Sequence, residues 1–329
     1  MIKNKKISVL FLLGILIVLV IAYAGLRAWN KSQEEKEKEQ AEKEKIYVTD
    51  LEDMSGISFD VGNGQMELVK EGGTWYNAQD KDFPVDQSYP EYMVSVYAKL
   101  EVTRKLEDGD DLEDYGLKDP MYTIVLTDSD GTQTDVYIGN VTGEDYYMTL
   151  NDKSEVYTVS SDTISQLQYT WDDIAKLDDW PAIGSGNMKK AVITKGDESV
   201  TYQSDDDDSE EILGTIAGGL GAVTLGETAD YSVEDADLAQ YGLKEGTRTT
   251  IQITYTKSDG SSGEDYDEDD EAGEDTEEEE PEEKLTLYFG KEDGSGNRYM
   301  RIGSSDIVYK ISTSICNNIL YENQDQSDE

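Results

Sequence analysis

Histidine is missing altogether from the 329 residues, and cysteine occurs once, as Cys316. The first absence excludes His-based catalytic triads and His-ligated metal sites; the second excludes an intrachain disulfide and a multi-cysteine metal site. Positive charge is also scarce, with 28 Lys and Arg against 73 Asp and Glu and a formal net charge of −45. Such a surface repels phosphate backbones and anionic headgroups, so no nucleic-acid partner is expected, and cations or basic surfaces suit it better. No Gly-rich phosphate loop with a following Lys-Ser/Thr occurs, so an ATPase role would belong to a partner. Hydrophobic content of 36% is low for a globular chain, but 22 Tyr, 4 Trp and alternating runs of Ile, Val and Leu separate it from a wholly disordered one.

What is present begins at the N-terminus. Lys3, Lys5 and Lys6 precede residues 7–26, an uncharged apolar stretch. At about 1.5 Å rise per residue such a stretch reaches across a hydrocarbon core of about 30 Å. The basic leader outweighs Arg27 and Lys31, so the positive-inside rule keeps the first residues cytoplasmic and sends the body outward. The expected location is the cell membrane, single-pass, with an extracytoplasmic body. A cleavable signal peptide is the competing reading, since Ala22-Tyr23-Ala24 before Gly25 fits the small-x-small pattern of a cleavage site. The following stretch pairs Glu34 with Lys38 and Glu39 with Lys43 without an apolar seam. This predicts a solvated helical stalk rather than a coiled coil.

An internal repeat then organises the chain. Asp111-Leu112-Glu113-Asp114-Tyr115-Gly116-Leu117-Lys118 recurs as Asp237-Leu238-Ala239-Gln240-Tyr241-Gly242-Leu243-Lys244. Further on, Val136-Tyr137-Ile138-Gly139 answers Leu287-Tyr288-Phe289-Gly290, Tyr147-Met148 answers Tyr299-Met300, and Val156-Tyr157-Thr158-Val159 answers Val308-Tyr309-Lys310-Ile311. The offset grows from 126 at Tyr115/Tyr241 to 151 at Gly139/Gly290, so the second copy holds 25 extra residues there. They coincide with the acidic tract 261–283, read as an expanded hairpin loop where the first copy turns at Asp128-Ser129-Asp130-Gly131.

Each copy reads as strands, a helix, a meander of strands and a closing helix, which predicts an α+β fold with helices packed on antiparallel sheets. The first copy's helix carries Tyr89, Tyr92, Met93, Val96, Tyr97 and Leu100 on one face, read as core packing. The closing helices are predicted from Ile164, Leu167 and Trp171 and from Ile315, Cys316, Ile319 and Leu320. On that face Cys316 is a buried hydrophobe rather than a nucleophile, for no His exists to activate it. The expected organisation is a leader and transmembrane anchor at 1–28, a stalk at 29–45, modules at 46–180 and 181–323 with the insertion 261–283, and a disordered tail at 324–329.

Gly72-Gly73-Thr74-Trp75, Tyr115-Gly116-Leu117-x-x-Pro120, Ile138-Gly139, Tyr146-Tyr147 and Val156-Tyr157-x-Val159 resemble the bacterial domain-of-unknown-function family numbered 4340. The second copy departs from it with Gly246 near the place of Pro120 and no Trp matching Trp75. The resemblance implies a membrane-anchored extracytoplasmic protein, often encoded beside components of ATP-binding-cassette transporters, and carries over no catalytic, cofactor or metal residue. The leading expectation is a non-catalytic accessory or binding protein, attached through residues 7–26, with integral-membrane or ABC-type partners. Two rivals stand beside it. One is a cell-envelope hydrolase using paired carboxylates, which 73 acids permit but do not locate. The other is an envelope cation-binding protein acting through residues 261–283; weak divalent-cation accumulation there fits either reading.

Overall fold

A computed structural model describes residues 45–322, apart from 63, 108–110, 152 and 258–280, together with Tyr23, Arg27, Trp29, Lys31 and Gln33, which are helical. Nearly all of the predicted anchor 7–26 and stalk 29–45, and most of the acidic tract 261–283, lie outside the described residues. Among the described residues, no helix is long and apolar enough to cross a membrane.

The strands are β1 (Ile46–Tyr47), β2 (Met54–Asp60), β3 (Gln65–Glu71), β4 (Thr74–Asn77), β5 (Glu101–Val102), β6 (Arg104–Lys105), β7 (Tyr122–Asp128), β8 (Gln133–Thr142), β9 (Asp145–Leu150) and β10 (Tyr157–Ser160). They continue as β11 (Met188–Lys195), β12 (Glu198–Gln203), β13 (Thr228–Asp230), β14 (Thr249–Thr256), β15 (Glu282–Glu292), β16 (Asn297–Ile302) and β17 (Val308–Ser312). The helices are α1 (Ser88–Tyr97), α2 (Ser161–Ser165), α3 (Glu210–Gly221) and α4 (Thr313–Ile319). The chain therefore forms the sheet-rich α+β architecture expected, with antiparallel sheets and few helices.

By compactness the chain divides into one unit ending its two segments at Leu68 and Gln168, the second segment starting at Ser88, and another formed by 69–87 with 169–329. In the first unit, β2, β7, β8, β9, β10 and β6 are consecutive neighbours. Their apolar residues alternate with the pleat: Ile124 and Leu126 of β7 and Val136 and Ile138 of β8 are fully buried, while Thr123 and Asp135 point away. Burying each such side chain contributes roughly 1.5 to 3 kcal/mol.

Helix α1 buries Tyr89, Met93 and Tyr97, a row at four-residue spacing. Tyr92 is 46% exposed, contrary to the predicted stripe, because it lies about 100° around the axis from Met93. The ends of the row are pinned by hydroxyls, with Tyr89 Oη donating to the Gln166 carbonyl at 2.9 Å and Tyr97 Oη to that of Thr163 at 2.8 Å.

The second unit carries the sheet β12-β11-β14-β15-β16-β17-β13. The last six strands of this order stand where β2, β7, β8, β9, β10 and β6 stand in the first unit, so the sequence repeat is a repeat of topology. Helices α3 and α4 cover one face, burying Leu213, Ile216, Leu220, Cys316 and Ile319 with Ile251, Ile253, Leu287 and Phe289. Strands β14 and β15 pair in unbroken register from Thr249↔Phe289 to Thr256↔Glu282. The acidic tract is thus inserted between the two arms of a hairpin, as its position opposite the short β7–β8 turn predicted.

Trp171 does not belong to a closing helix. Helix α2 stops at Ser165, and Trp171 follows a 3-10 turn to meet Phe83 edge-on, ring centroids 5.3 Å apart. The Asp173 carboxylate accepts from both the Thr170 amide (2.8 Å) and its hydroxyl (2.7 Å), and this local bonding replaces further helical turns.

Candidate functional site

The repeated Tyr-Gly-Leu motif and the distant glycine that follows it meet in each unit. Gly116 has φ 69° and Gly242 φ 71°, the left-handed region that admits glycine most easily. This turn aims the preceding tyrosine carbonyl at the later glycine. An added Cβ would stand 2.2 Å from Tyr115 O at Gly139 and 2.0 Å from Tyr241 O at Gly290. Leu117 and Leu243 are both fully buried, and their amides bond back to Leu112 O (2.8 Å) and Leu238 O (2.9 Å). The tyrosine rings rest on partners one strand further on, Tyr115 on Tyr147 and Tyr241 on Tyr299, with centroids 4.7 and 5.0 Å apart. Every landmark of the motif is engaged in turning the backbone or packing it.

With so few bases available, tyrosine hydroxyls serve as partners of carboxylates. Tyr231 donates to Asp172 (2.8 Å), Tyr241 to Asp230 (2.9 Å), Tyr255 to Glu283 (2.9 Å), Tyr137 to Asp135 (3.0 Å) and Tyr309 to Asp178 (2.7 Å). Burial, followed by the adjacent carboxylates, pushes Tyr231 and Tyr241 up to about 12. Burial raises Tyr309 as well. These phenols remain neutral donors at neutral pH, remote from the pKa a general acid or base needs there.

Asp178 gathers polar groups of the second unit, accepting from the Ser305 hydroxyl (2.6 Å) and Tyr309 Oη while its amide donates back to Tyr309 Oη (3.0 Å). Arg301 bonds the Ser305 carbonyl and lies 3.6 Å from Asp306. Arg298 similarly ties Gly290 O (2.8 Å) to Glu322 (3.0 Å) at the other end of the sheet. Nothing in the sequence singled these residues out, since single Asp, Ser and Arg residues carry no period.

Cys316 is fully buried at the position that Ile164 fills in the first unit, and burial pushes its thiol up to about 12. Asp128-Ser129-Asp130-Gly131 is a hairpin turn: Gly131 takes φ 85°, and Asp130 accepts from the Thr132 amide at 2.8 Å, the bond that chiefly holds its carboxyl below the usual range. At the base of the acidic insertion, Glu283 accepts from Tyr255 and from Lys257 (3.3 Å), and the Tyr255 bond foremost lowers its pKa. Among the described residues, no group of three or more Asp, Glu or Cys side chains is placed to hold a metal ion.

Two concave places among the described residues are notable. One in the first unit, about 450 Å³, is bordered by Glu144, Asp145, Tyr146, Ser160, Ser161 and Asp162. One in the second unit, about 730 Å³, is bordered by Trp180, Pro181, Ala182, Ile183, Asn187 and Gly221. Several of these polar residues have structural partners: Asp145 accepts from Thr103 at 2.6 Å, Ser160 Oγ accepts from the Asp162 amide at 3.3 Å, and Asn187 bridges Ala182 O (3.1 Å) and Thr256 O (3.0 Å). The first favours a cationic group by its charge; the second is a shallow apolar surface.

A family model for a domain of unknown function matches residues 75–180 and 198–325, one stretch in each copy of the repeat. No curated protein and no solved structure matches the chain.

Proposed function

The matched family is the domain of unknown function DUF4340, to which this chain belongs, and on that premise we propose that it is a membrane-tethered, extracytoplasmic accessory protein that binds other components of an ABC-type transporter complex without catalysing a reaction. The observation that carries this reading is the fate of the repeated motif. Tyr115, Gly116, Leu117 and Gly139, and their counterparts Tyr241, Gly242, Leu243 and Gly290, are committed to holding two copies of one scaffold. A duplicated scaffold multiplies surface for partners, and its neutral tyrosines and buried thiol are set for stability rather than proton transfer. The apolar residues 7–26 behind a basic leader supply the tether.

Affinity purification of the full chain from membranes in mild detergent tests the proposal. Co-purification of an integral-membrane permease and its ATP-binding subunit is the expected result. Recovery of the chain alone from membranes that contain such a transporter would overturn it. Incubation of the purified chain with peptidoglycan and cell-envelope polysaccharides addresses the hydrolase rival; released fragments that disappear on Asp or Glu to amide substitution would establish that activity instead.

A further inference from the structure

Among the described residues, two sheet edges are short and irregular or covered, and a third is long and regular. Strand β13, which ends the second sheet, has three residues and an irregular register between Thr228 and Asp230. Strand β4 has four residues, and the Gln87 side chain lies along it like a further strand: its Oε1 accepts from Trp75 N at 2.8 Å and its Nε2 donates to Trp75 O at 3.0 Å. At the opposite edge of the second sheet, β12 runs for six residues paired with β11 in unbroken register from Lys190↔Gln203 to Lys195↔Glu198. It has no Pro, Lys or bulge, and five of its six residues are exposed. Among the described residues, no strand or side chain bonds its outer edge, although the Asp206 amide donates to the Gln203 carbonyl at its end (3.2 Å). A flat edge of this length presents a row of unpaired N–H and C=O groups.

The first copy shows what belongs there. Strand β3 follows β2 through a glycine turn as β12 follows β11 through Gly196, and β3 has β4 as its outer neighbour. That neighbour inserts Trp75, only 2% exposed. Among its described residues the second copy has no counterpart of β4, and its sequence has no matching Trp. Its Val200 pairs with Ile193, which pairs with Ile251, so Val200 continues the core face of the sheet yet is 51% exposed. The surroundings are acidic: Glu198 begins the strand, and Asp197, Asp205, Asp206, Asp207 and Asp208 flank it.

We propose that the outer edge of β12 binds an extended, basic segment of a partner polypeptide by strand addition, with a large apolar side chain of that segment covering Val200. Main-chain bonds to the edge supply affinity, and the flanking carboxylates select lysine or arginine. This names the partner chemistry of the accessory role proposed above, but its test needs neither membrane nor transporter, so the two can fail separately.

The full chain in neutral detergent is titrated with a peptide bearing the β4 sequence Thr-Trp-Tyr-Asn between pairs of lysines. The control keeps the charge but carries prolines that forbid strand pairing. Binding at least about tenfold tighter for the first peptide, with the difference removed by Val200→Lys, is the expected result. Thr201→Lys serves as a second edge variant, and a melting temperature like that of the parent chain certifies that each folds. Equal affinities for the two peptides, or a preference that survives both substitutions, would overturn the proposal. So would equally tight binding of a glutamate-flanked peptide. A dimer broken by Val200→Lys and competing with the peptide would assign the edge to a second copy of the chain and overturn it too.

Discussion

Gly290 lies against Tyr241 so closely that a side chain of any size is excluded: a Cβ would sit 2.0 Å from the tyrosine carbonyl oxygen. Gly139 bears the same relation to Tyr115 at 2.2 Å. Because the obstructing atom is backbone, relief requires the Tyr-Gly-Leu turn to move, and with it a fully buried leucine. Gly290→Ala and Gly139→Ala should each destabilise the chain by about 3 kcal/mol or more. Gly131→Ala, at a left-handed position with open space around it, should cost only about 1 to 2 kcal/mol. Urea denaturation ranks the three; equal losses would contradict the close approach.

The amide of Gln87 completes the hydrogen bonding of Trp75 on both sides of the residue. Gln87→Ala removes a donor and an acceptor at once, for an expected loss of about 1 to 3 kcal/mol. It also uncovers the edge of β4. Gln87→Glu keeps the acceptor but loses the donor to Trp75 O and to Val85 O (3.0 Å), so it should not rescue. Thermal melts of the two variants check the assignment, and a parent-like melt for Gln87→Ala would refute it.

Alkali should weaken this fold more than neutral salt or mild acid does. Burial raises Tyr97 and Tyr309 well above the ordinary tyrosine value and lifts Tyr231, Tyr241 and Cys316 to about 12. The unfolded chain loses these protons nearer 9.0 for the thiol and 10.0 for the phenols. The folded state therefore binds more protons in that interval, and stability, complete below it, falls as pH rises through it. A urea midpoint unchanged between about pH 8 and about pH 11 would contradict the burial of these groups.

Replacing residues 258–280 by a turn of the Asp128–Gly131 kind should leave the fold intact, because the β14–β15 ladder already closes at Thr256↔Glu282. The melting temperature is expected to stay within a few degrees or to rise, since 14 acids leave a chain whose charge is −45. Calorimetry with Ca²⁺ on both versions tests the cation-binding rival; heat lost with the segment would favour it.

The parts of this molecule that were legible in the sequence are those that repeat with a period. Ile124, Leu126, Ile251 and Ile253 alternate, Gly131 punctuates, and the recurrence of Tyr-Gly-Leu exposes the duplication. What escaped depends on single side chains acting across the chain. Gln87 standing in for a strand, Asp178 gathering Ser305 and Tyr309, and Arg298 reaching Glu322 leave no local pattern. Trp171 misled because its spacing from Leu167 is helical, whereas Asp173 bonding to Thr170 directs the chain elsewhere. Tyr92 misleads because helical spacing admits a wider stripe than the core uses, and the narrow row of Tyr89, Met93 and Tyr97 suffices.

The contact between tyrosine carbonyl and glycine gives a way to count modules in related chains. Tyr115 and Gly139 are separated by 24 positions, Tyr241 and Gly290 by 49, yet the two pairs close in the same manner. A search that fixes the interval would find one module here and pass over the other. A search for Tyr-Gly-Leu followed, at any distance, by an aromatic or aliphatic residue and Gly at the end of an alternating strand would find both, and would reveal chains in which the unit occurs once, twice or more often.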